Sequence, residues 1–188
     1  TERGPNAEAA YAADVFRAQE AVLGEVIAGL DYGSVLDAGC GFGRIAQLID
    51  PDAAYTGVDV SQDALLLARG ARPTGKFVRS SIADYATDRR YDLVMAIELL
   101  MHLPPVELVP AMQKLVGLSR RHVLTLDWTE PMETAPAAHN FRHDYARAWR
   151  GLLGPSDILA TRLVGAQTLY RVTRGGGWRR RPCATRST

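Results

Sequence analysis

One short stretch constrains the fold of this chain more than any other. Residues 35–49 read VLDAGCGFGRIAQLI, an apolar run followed by glycines at three alternate positions and then by residues that suit a helix. Glycine lets the backbone turn sharply and approach a ligand without a Cβ clash. Ligands bind beyond the carboxyl ends of the strands in open parallel sheets, so the stretch predicts a strand that ends in a binding turn. A tight turn without a ligand is the alternative interpretation.

Short apolar runs and helical patterns alternate through the first two thirds of the chain. Strands are predicted at residues 34–38, 55–60, 76–80, 91–97 and 122–128. Helices are predicted at residues 44–49, 62–70 and 105–118, after one or two amphipathic helices within residues 6–30. Because the strand-like runs are almost continuously apolar, we expect a parallel sheet that is covered on both faces.

The pattern changes after residue 128. A polar, proline-bearing loop is expected over residues 129–140, a helix over 141–153, and then two strands in DILATRLVGAQTLYRVTR, joined by a tight Gly-Ala-Gln connection. Adjacent strands with so short a link must be antiparallel. The predicted fold class is therefore α/β, a mostly parallel seven-stranded sheet with helices on both faces and a C-terminal antiparallel hairpin.

Composition indicates a single globular domain. The chain has 188 residues, of which 47% are hydrophobic and 23% charged, with a formal net charge of +1. We expect one domain over residues 1–174, with residues 1–30 as a helical lid and 175–188 as a flexible basic tail. No apolar run is long enough to span a bilayer and no secretion signal is evident, so the expected location is the cytoplasm. Cys40 and Cys183 suggest neither a disulfide nor a zinc site.

The residues around the glycines indicate which ligand binds. A dinucleotide fingerprint would be spaced G-x-G-x-x-G, whereas this chain has G-x-G-x-G. Asp37 stands two positions before the first glycine, where its charge would repel a pyrophosphate and suit a sulfonium or an amine. Asp59 follows the turn by about twenty residues, at a strand end where a carboxylate can accept both hydroxyls of a ribose. A ribose without phosphates points to an adenosyl group.

Three segments in this order resemble the class I (Rossmann-like) S-adenosylmethionine-dependent methyltransferases. VLDAGCGFG resembles their first motif, GVDVS resembles the second, and YDLVMAIELLMHLPP is similar to the fourth strand and following segment of the small-molecule branch. The resemblance covers about residues 35–128. It implies an enzyme that transfers a methyl group from S-adenosyl-L-methionine to a hydroxyl or amine of a small molecule, leaving S-adenosyl-L-homocysteine.

The resemblance also implies where the cofactor lies. Gly39 and Gly41 would line its methionine portion, Asp59 would hold the ribose hydroxyls, and Val60 would pack on the adenine. Ser81 stands where the family often has an aspartate, so the neighbouring backbone N–H is the expected contact to the adenine edge. Asp84 is an alternative contact or a helix cap. The predicted cofactor-binding residues are Asp37, Gly39, Cys40, Gly41, Asp59, Val60, Ser81 and Ile82.

Methyl transfer needs a base only when the acceptor must lose a proton. Glu98 and His102 follow the fourth strand, four residues apart, and would share one helical face if that turn is helical. Histidine is the side chain that most often serves as a general base, so His102 is the expected proton acceptor. The alternative roles are a backbone hydrogen bond for His102 and a cap or an orienting contact for Glu98.

A second histidine pair, His139 and His143, follows the fifth strand and is also spaced by four residues. Contact with the acceptor is the expected role, beside an aromatic wall of Trp128, Phe141 and Tyr145. Alternatively Phe141, Tyr145 and Trp149, at four-residue steps, are the buried stripe of a helix. The spacing would also suit a metal, but no third ligand is fixed, although Asp127, Glu130 and Asp144 are available, so no metal is predicted. The predicted catalytic residues are His102, Glu98, His139 and His143.

Other functions remain open at this level. The tail RGGGWRRRPCATR could grip phosphates, but the domain is nearly neutral and a solvated tail is the simpler interpretation, so nucleic acid is not an expected partner. A non-catalytic regulatory or scaffold domain that keeps the adenosyl pocket, or an RNA or protein methyltransferase, is the alternative class. The polar residues beyond the cofactor favour an enzyme. Frequent arginine and alanine with little lysine suggest a GC-rich bacterial genome and a specialised-metabolite acceptor.

Overall fold

A seven-stranded sheet forms the centre of the molecule in the computed structural model, which describes residues 5–129 and 140–175. The strands are β1 (Ser34–Ala38), β2 (Ala54–Asp59), β3 (Lys76–Arg79), β4 (Tyr91–Ile97), β5 (Ser119–Trp128), β6 (Ile158–Val164) and β7 (Gln167–Thr173). The helices are α1 (Pro5–Ala28), α2 (Gln62–Ala71), α3 (Pro105–Leu118) and α4 (Tyr145–Leu152), with 3-10 helices at Ile45–Leu48 and Leu100–His102. Among the described residues, no helix is long and apolar enough to cross a membrane.

The strand order is β3-β2-β1-β4-β5-β7-β6. Strands β1 to β5 pair in parallel, and β7 lies antiparallel between β5 and β6. The predicted fold class, with its antiparallel hairpin at one edge, is confirmed. The hairpin connection is shorter than the predicted Gly-Ala-Gln, because Gln167 already pairs with both Val164 and Trp128.

Helices cover both faces of the sheet, which explains why its strands are almost continuously apolar. On one face, Leu23 and Ile27 of α1 pack with Ile45 against the sheet. On the other face, Met112 of α3 and Trp149 of α4 are fully buried in a second cluster. The two clusters hold the sheet rigidly, so the loops at its carboxyl edge start from fixed positions.

Two predicted helices are shorter in the structure. The helix predicted at 44–49 is only a 3-10 helix, Ile45–Leu48, and it ends there because Ile49 is already extended, with a ψ of 137°. The helix predicted at 141–153 begins at Tyr145, because the Asp144 carboxylate accepts a hydrogen bond from the Arg147 backbone N–H at 2.9 Å and caps the helix there. His143 therefore precedes the helix, whereas the predicted bounds would have included it.

The strand order places a crevice at the carboxyl ends of β1 and β4. These strands are neighbours, yet the chain proceeds from β1 to β2 on one side and from β4 to β5 on the other. In open parallel sheets, ligands bind at such a reversal of strand order. The predicted glycine turn and the segment with Glu98 and His102 both begin at this crevice.

Candidate functional site

The glycine turn is fixed to the neighbouring strand and leaves space on its outer side. The backbone N–H groups of Gly39 and Cys40 donate to the Val58 carbonyl at 2.7 and 3.1 Å. A Cβ at Gly39 would lie 2.9 Å from Leu99 Cδ1, whereas a Cβ at Gly41 would meet nothing within 4 Å. Gly41 also has a left-handed φ of 51°. Close packing against Leu99 explains why residue 39 is a glycine. Gly41 instead borders open space that a ligand can enter.

Asp59 lies at the end of β2 with its carboxylate against this turn. Its Oδ2 accepts a hydrogen bond from the Gly41 N–H at 2.9 Å, and its Oδ1 accepts one from the Ser61 N–H at 2.8 Å. A carboxylate offers about four acceptor positions. The two that remain match the two hydroxyls of a ribose, so the geometry fits the predicted role, which stays a prediction.

Asp37 lies beneath the turn, inside the sheet. It is buried, and its Oδ2 accepts a hydrogen bond from the Tyr55 hydroxyl at 2.7 Å. Burial raises the pKa of Asp37 to about 7, with the charge of Asp59 acting in the same direction. The full negative charge expected from the sequence is therefore only partly present near neutral pH.

We expect Asp37 to make the cofactor-free protein less stable as the pH rises. Its pKa is raised from the ordinary 3.8 to about 7, so between these values the folded chain keeps a proton that the unfolded chain has released. The stabilisation from this proton is complete below pH 3.8. It then falls by about 1.4 kcal/mol per pH unit and is lost once the pH has risen through the folded-state pKa of about 7. Asp37→Asn, which still accepts from Tyr55, should flatten this dependence in urea unfolding between about pH 4 and pH 8. Exposed Asp50→Asn is the control; parallel curves for wild type and Asp37→Asn would contradict the assignment.

Cys40 contributes its backbone to the turn rather than its thiol. A Cβ at Gly57 would lie 2.8 Å from the Cys40 Sγ, so the sulfur packs against β2. Burial, with the charges of Asp37 and Asp59, raises the pKa of the Cys40 thiol. The thiol therefore remains protonated and is not a nucleophile at neutral pH.

The residues predicted to contact adenine are exposed Val60 and the compact turn at residues 81–84. Val60 follows β2 and is 62% exposed, whereas Ile82 is buried in the core. The Ser81 hydroxyl donates to the Asp84 carboxylate at 2.7 Å and accepts from the Asp84 N–H at 3.0 Å. Residues 82–84 form a turn with no helix after it, so Asp84 is not a helix cap. Contacts of these residues with adenine stay predictions.

Glu98 follows β4 in an unusual backbone conformation. Its φ is 56°, and among the described residues it is the one non-glycine residue with positive φ. Such conformations cost of order 1–3 kcal/mol and cluster at functional sites. The following 3-10 helix, Leu100–His102, does not include Glu98. The condition under which Glu98 and His102 would share a helical face is therefore not met.

The Glu98 side chain joins four parts of the fold. Its Oε2 accepts from Arg44 at 3.0 Å, and its Oε1 accepts from Gln19 of α1 at 3.1 Å and Gln167 of β7 at 2.8 Å. Arg44 comes directly after the glycine turn, and its guanidinium lies 4.6 Å from the centre of the Phe16 ring. These contacts favour the orienting role for Glu98 over that of a base.

Sequence reasoning missed the partners of Glu98. Arg44 gave a signal, because it is a charged residue next to the glycines, but Gln19 and Gln167 are 79 and 69 residues away from Glu98 in the chain. Both glutamines are buried.

The histidines occupy different environments. The His102 side chain is exposed, and its backbone N–H donates to the Leu99 carbonyl at 3.0 Å. The His143 Nε2 lies 3.0 Å from the Leu103 carbonyl, which can only accept, so this nitrogen carries a proton. Burial lowers the pKa of His143, which keeps the ring neutral at pH 7. His139 lies outside the described residues, so its predicted pairing with His143 is not tested.

Comparison with known proteins assigns this chain to one family. A family model described as a methyltransferase domain matches residues 35–132, just over half of the chain. Trans-aconitate 2-methyltransferase from Paracidovorax citrulli is 30% identical over 143 residues, which are 72% of this chain and 54% of the relative. A ubiquinone biosynthesis O-methyltransferase from Vibrio atlanticus is 38% identical over 96 residues, 47% of this chain and 40% of the relative.

Solved structures share the fold at low sequence identity. The DhpI–SAH complex has a TM-score of 0.71 at 20% identity, with 90% of this chain and 89% of that chain covered. Magnesium protoporphyrin IX methyltransferase (ChlM) from Synechocystis PCC 6803 with bound SAH has a TM-score of 0.71 at 19% identity, with 93% and 89% covered.

The fold and the glycine turn together define a Rossmann-like methyltransferase domain. The chain belongs to the class I S-adenosylmethionine-dependent methyltransferases, which confirms the family predicted from its motifs. It spans about half the length of the curated relatives it matches, between 40% and 54%.

Proposed function

We propose that this domain binds S-adenosylmethionine and transfers its methyl group to a hydroxyl or amine of a small molecule. The observation that carries the proposal is the open space over Gly41, bordered by the Asp59 carboxylate, at the crevice where the segment with His102 also begins. The names of the relatives, a ubiquinone biosynthesis O-methyltransferase and a trans-aconitate 2-methyltransferase, support a small acceptor. The composition supports a role in bacterial specialised metabolism.

Residues of the first two strand ends would hold the cofactor. Asp59 has acceptor positions left for the ribose hydroxyls, Gly41 leaves room for close approach, and exposed Val60 offers apolar surface to the adenine. When bound, the cofactor supplies an activated methyl group, which the acceptor takes with its own electron pair while the sulfur keeps the pair of the broken bond. The lid role of α1 is supported by the bond from Gln19 to Glu98.

His102 would take the proton that a hydroxyl or protonated amine releases. It belongs to the 3-10 helix at the end of β4 and is exposed on the carboxyl side of the sheet. Histidine is the side chain that enzymes use most often as a general base. Alignment of the acceptor and exclusion of water would supply the rest of the rate enhancement.

The proposed reaction is tested with methyl-labelled S-adenosylmethionine and a panel of small hydroxyl, amine and carboxylate acceptors. We expect label in an acceptor product, with an equal amount of S-adenosylhomocysteine formed. Saturable cofactor binding with no labelled product from any acceptor would contradict the reaction and favour a non-catalytic binding domain.

His102→Gln is expected to reduce turnover of a hydroxyl acceptor by about 10²–10³-fold, because general-base catalysis contributes on this scale. Cofactor affinity in calorimetry should be unchanged, since His102 lies on the acceptor side in this proposal. His122→Gln is the matched control, a histidine in the first half of β5 whose ring lies 3.4 Å from the Thr173 hydroxyl. Equal losses of turnover and cofactor affinity in His102→Gln would make His102 structural.

A further inference from the structure

Asp127 is a carboxyl residue within the apolar end of β5. It is 1% exposed, and side chains alternate along a strand, so it shares a sheet face with Val123, which packs in the cluster with α4. Its Oδ1 accepts a hydrogen bond from the Met101 N–H at 3.1 Å, and its Oδ2 has no partner among the described residues. Burying a carboxyl group costs free energy, and the bond to Met101 offsets only part of that cost because the second oxygen has no partner among the described residues.

The residue that Asp127 holds belongs to the turn that carries His102. In this turn, residues 99–103, the Met101 carbonyl accepts from the Phe141 N–H at 2.7 Å, and the Leu103 carbonyl accepts from His143 Nε2 at 3.0 Å. The residues on either side of His102, Met101 and Leu103, are thus held from β5 and from the segment that leads into α4. We call these three hydrogen bonds the turn clamp.

The surroundings of Asp127 determine the protonation state in which it accepts the hydrogen bond from Met101. Burial, and to a lesser extent the charge of Glu98, raise the pKa of Asp127 well above the ordinary range of an aspartate. A protonated carboxyl keeps one acceptor oxygen and presents one donor. Asparagine has the same shape and the same pair of groups, and is therefore the conservative replacement at this position.

We propose that Asp127 is a positioning residue for methyl transfer, which acts through the turn clamp to hold His102 toward the acceptor. This inference rests on the proposed function. Each bond of the clamp has a backbone group of the turn as one partner, and together they tie the turn after β4 to β5 and to the segment before α4. None of them involves the cofactor residues on β1 and β2. A displacement of about 1 Å in such a turn is enough to reduce a rate by about 100-fold.

Two variants of Asp127 test the proposal in the full chain. Asp127→Leu removes the acceptor and should reduce turnover by about 10–100-fold, raise the KM for the acceptor and leave cofactor affinity unchanged. Asp127→Asn should restore turnover. Thr125→Val is the matched control, because this buried hydroxyl on the same sheet face has no hydrogen-bond partner among the described residues.

Hydrogen exchange measured by NMR gives a readout that does not need activity. The Met101 amide should exchange about tenfold or more faster in Asp127→Leu, and at the wild-type rate in Asp127→Asn and Thr125→Val. If Asp127→Leu does not fold, His143→Phe removes the bond to Leu103 and should show the same loss of turnover with cofactor affinity kept.

Three results would overturn the proposal: unchanged Met101 exchange in Asp127→Leu, equal damage by the asparagine and leucine variants, or an equal loss of cofactor affinity. A wild-type protein without methyl transfer would overturn the proposed function instead, while the exchange rates would still report on the clamp.

Discussion

Asp59→Ala is expected to weaken the binding of S-adenosylhomocysteine by about 100-fold, measured by calorimetric titration. The carboxylate already holds the glycine turn through Gly41 and the next segment through Ser61. Its remaining positions would accept the ribose hydroxyls, and hydrogen bonds to a charged group contribute about 1.5–3 kcal/mol each. Loss of two such bonds reduces the binding free energy by about 3 kcal/mol or more, which lowers the affinity by a factor of about 100 or more.

Asp63→Ala is the matched control for this experiment. Asp63 lies in the exposed first turn of α2 and carries the same charge four residues further along the chain. Removing it should change the affinity little, because solvent screens an exposed charge. Unchanged affinity in Asp59→Ala would remove Asp59 from the site. Equal losses of affinity in both variants would mean that Asp59 acts only through its negative charge and not through contact with the ribose.

Glu98→Ala is expected to reduce the free energy of unfolding by about 2–4 kcal/mol. The side chains of Arg44 and Glu98 are only 16% and 20% exposed, and the variant leaves this guanidinium and two buried glutamines, Gln19 and Gln167, without their shared acceptor. For a chain of this size, the loss corresponds to a fall in Tm of roughly 5–15 °C. Thermal unfolding of the cofactor-free protein measures it directly.

Two further variants, Glu20→Ala and Glu98→Gly, separate the contributions of the ion pair, the shared acceptor and the backbone strain to the lost free energy of unfolding. Glu20 lies 3.5 Å from Arg44 and its side chain is 36% exposed, so its removal should cost at most about 1 kcal/mol. Glu98→Gly relieves the left-handed φ but still removes the acceptor, so it should be less damaging than Glu98→Ala yet still destabilised. A Glu98→Ala protein with wild-type Tm and strongly reduced turnover would instead identify Glu98 as the base.

Local patterns in the sequence were sufficient for the architecture and for the start of the cofactor site. Continuous apolar runs predict strands buried on both faces, and the short link between β6 and β7 requires the antiparallel hairpin. Glycines after an apolar run, with Asp59 at the next strand end, locate the crevice. The fold class and family followed from these features because each depends on residues that are close together in the chain.

The acceptor side was harder to predict because it is assembled from distant residues. The spacing of Glu98 and His102 suggested a shared helical face. Glu98 itself has a left-handed φ and is held by partners in α1 and β7, so the helical geometry does not extend to it. The Asp144 cap excludes His143 from α4 and directs it to a backbone carbonyl. Asp127 gave one readable signal, a carboxylate inside the apolar run LTLDW, but its contact with Met101 requires the fold.

Calorimetric titration of the wild-type chain with S-adenosylmethionine and S-adenosylhomocysteine, with NAD as the comparison ligand, tests the central claim most directly. The account predicts saturable binding of the first two at micromolar concentration, and no binding of NAD, because the G-x-G-x-G turn lacks the glycine spacing of a dinucleotide site. Binding of NAD, or of none of the three, would contradict the adenosyl site at Gly41 and Asp59.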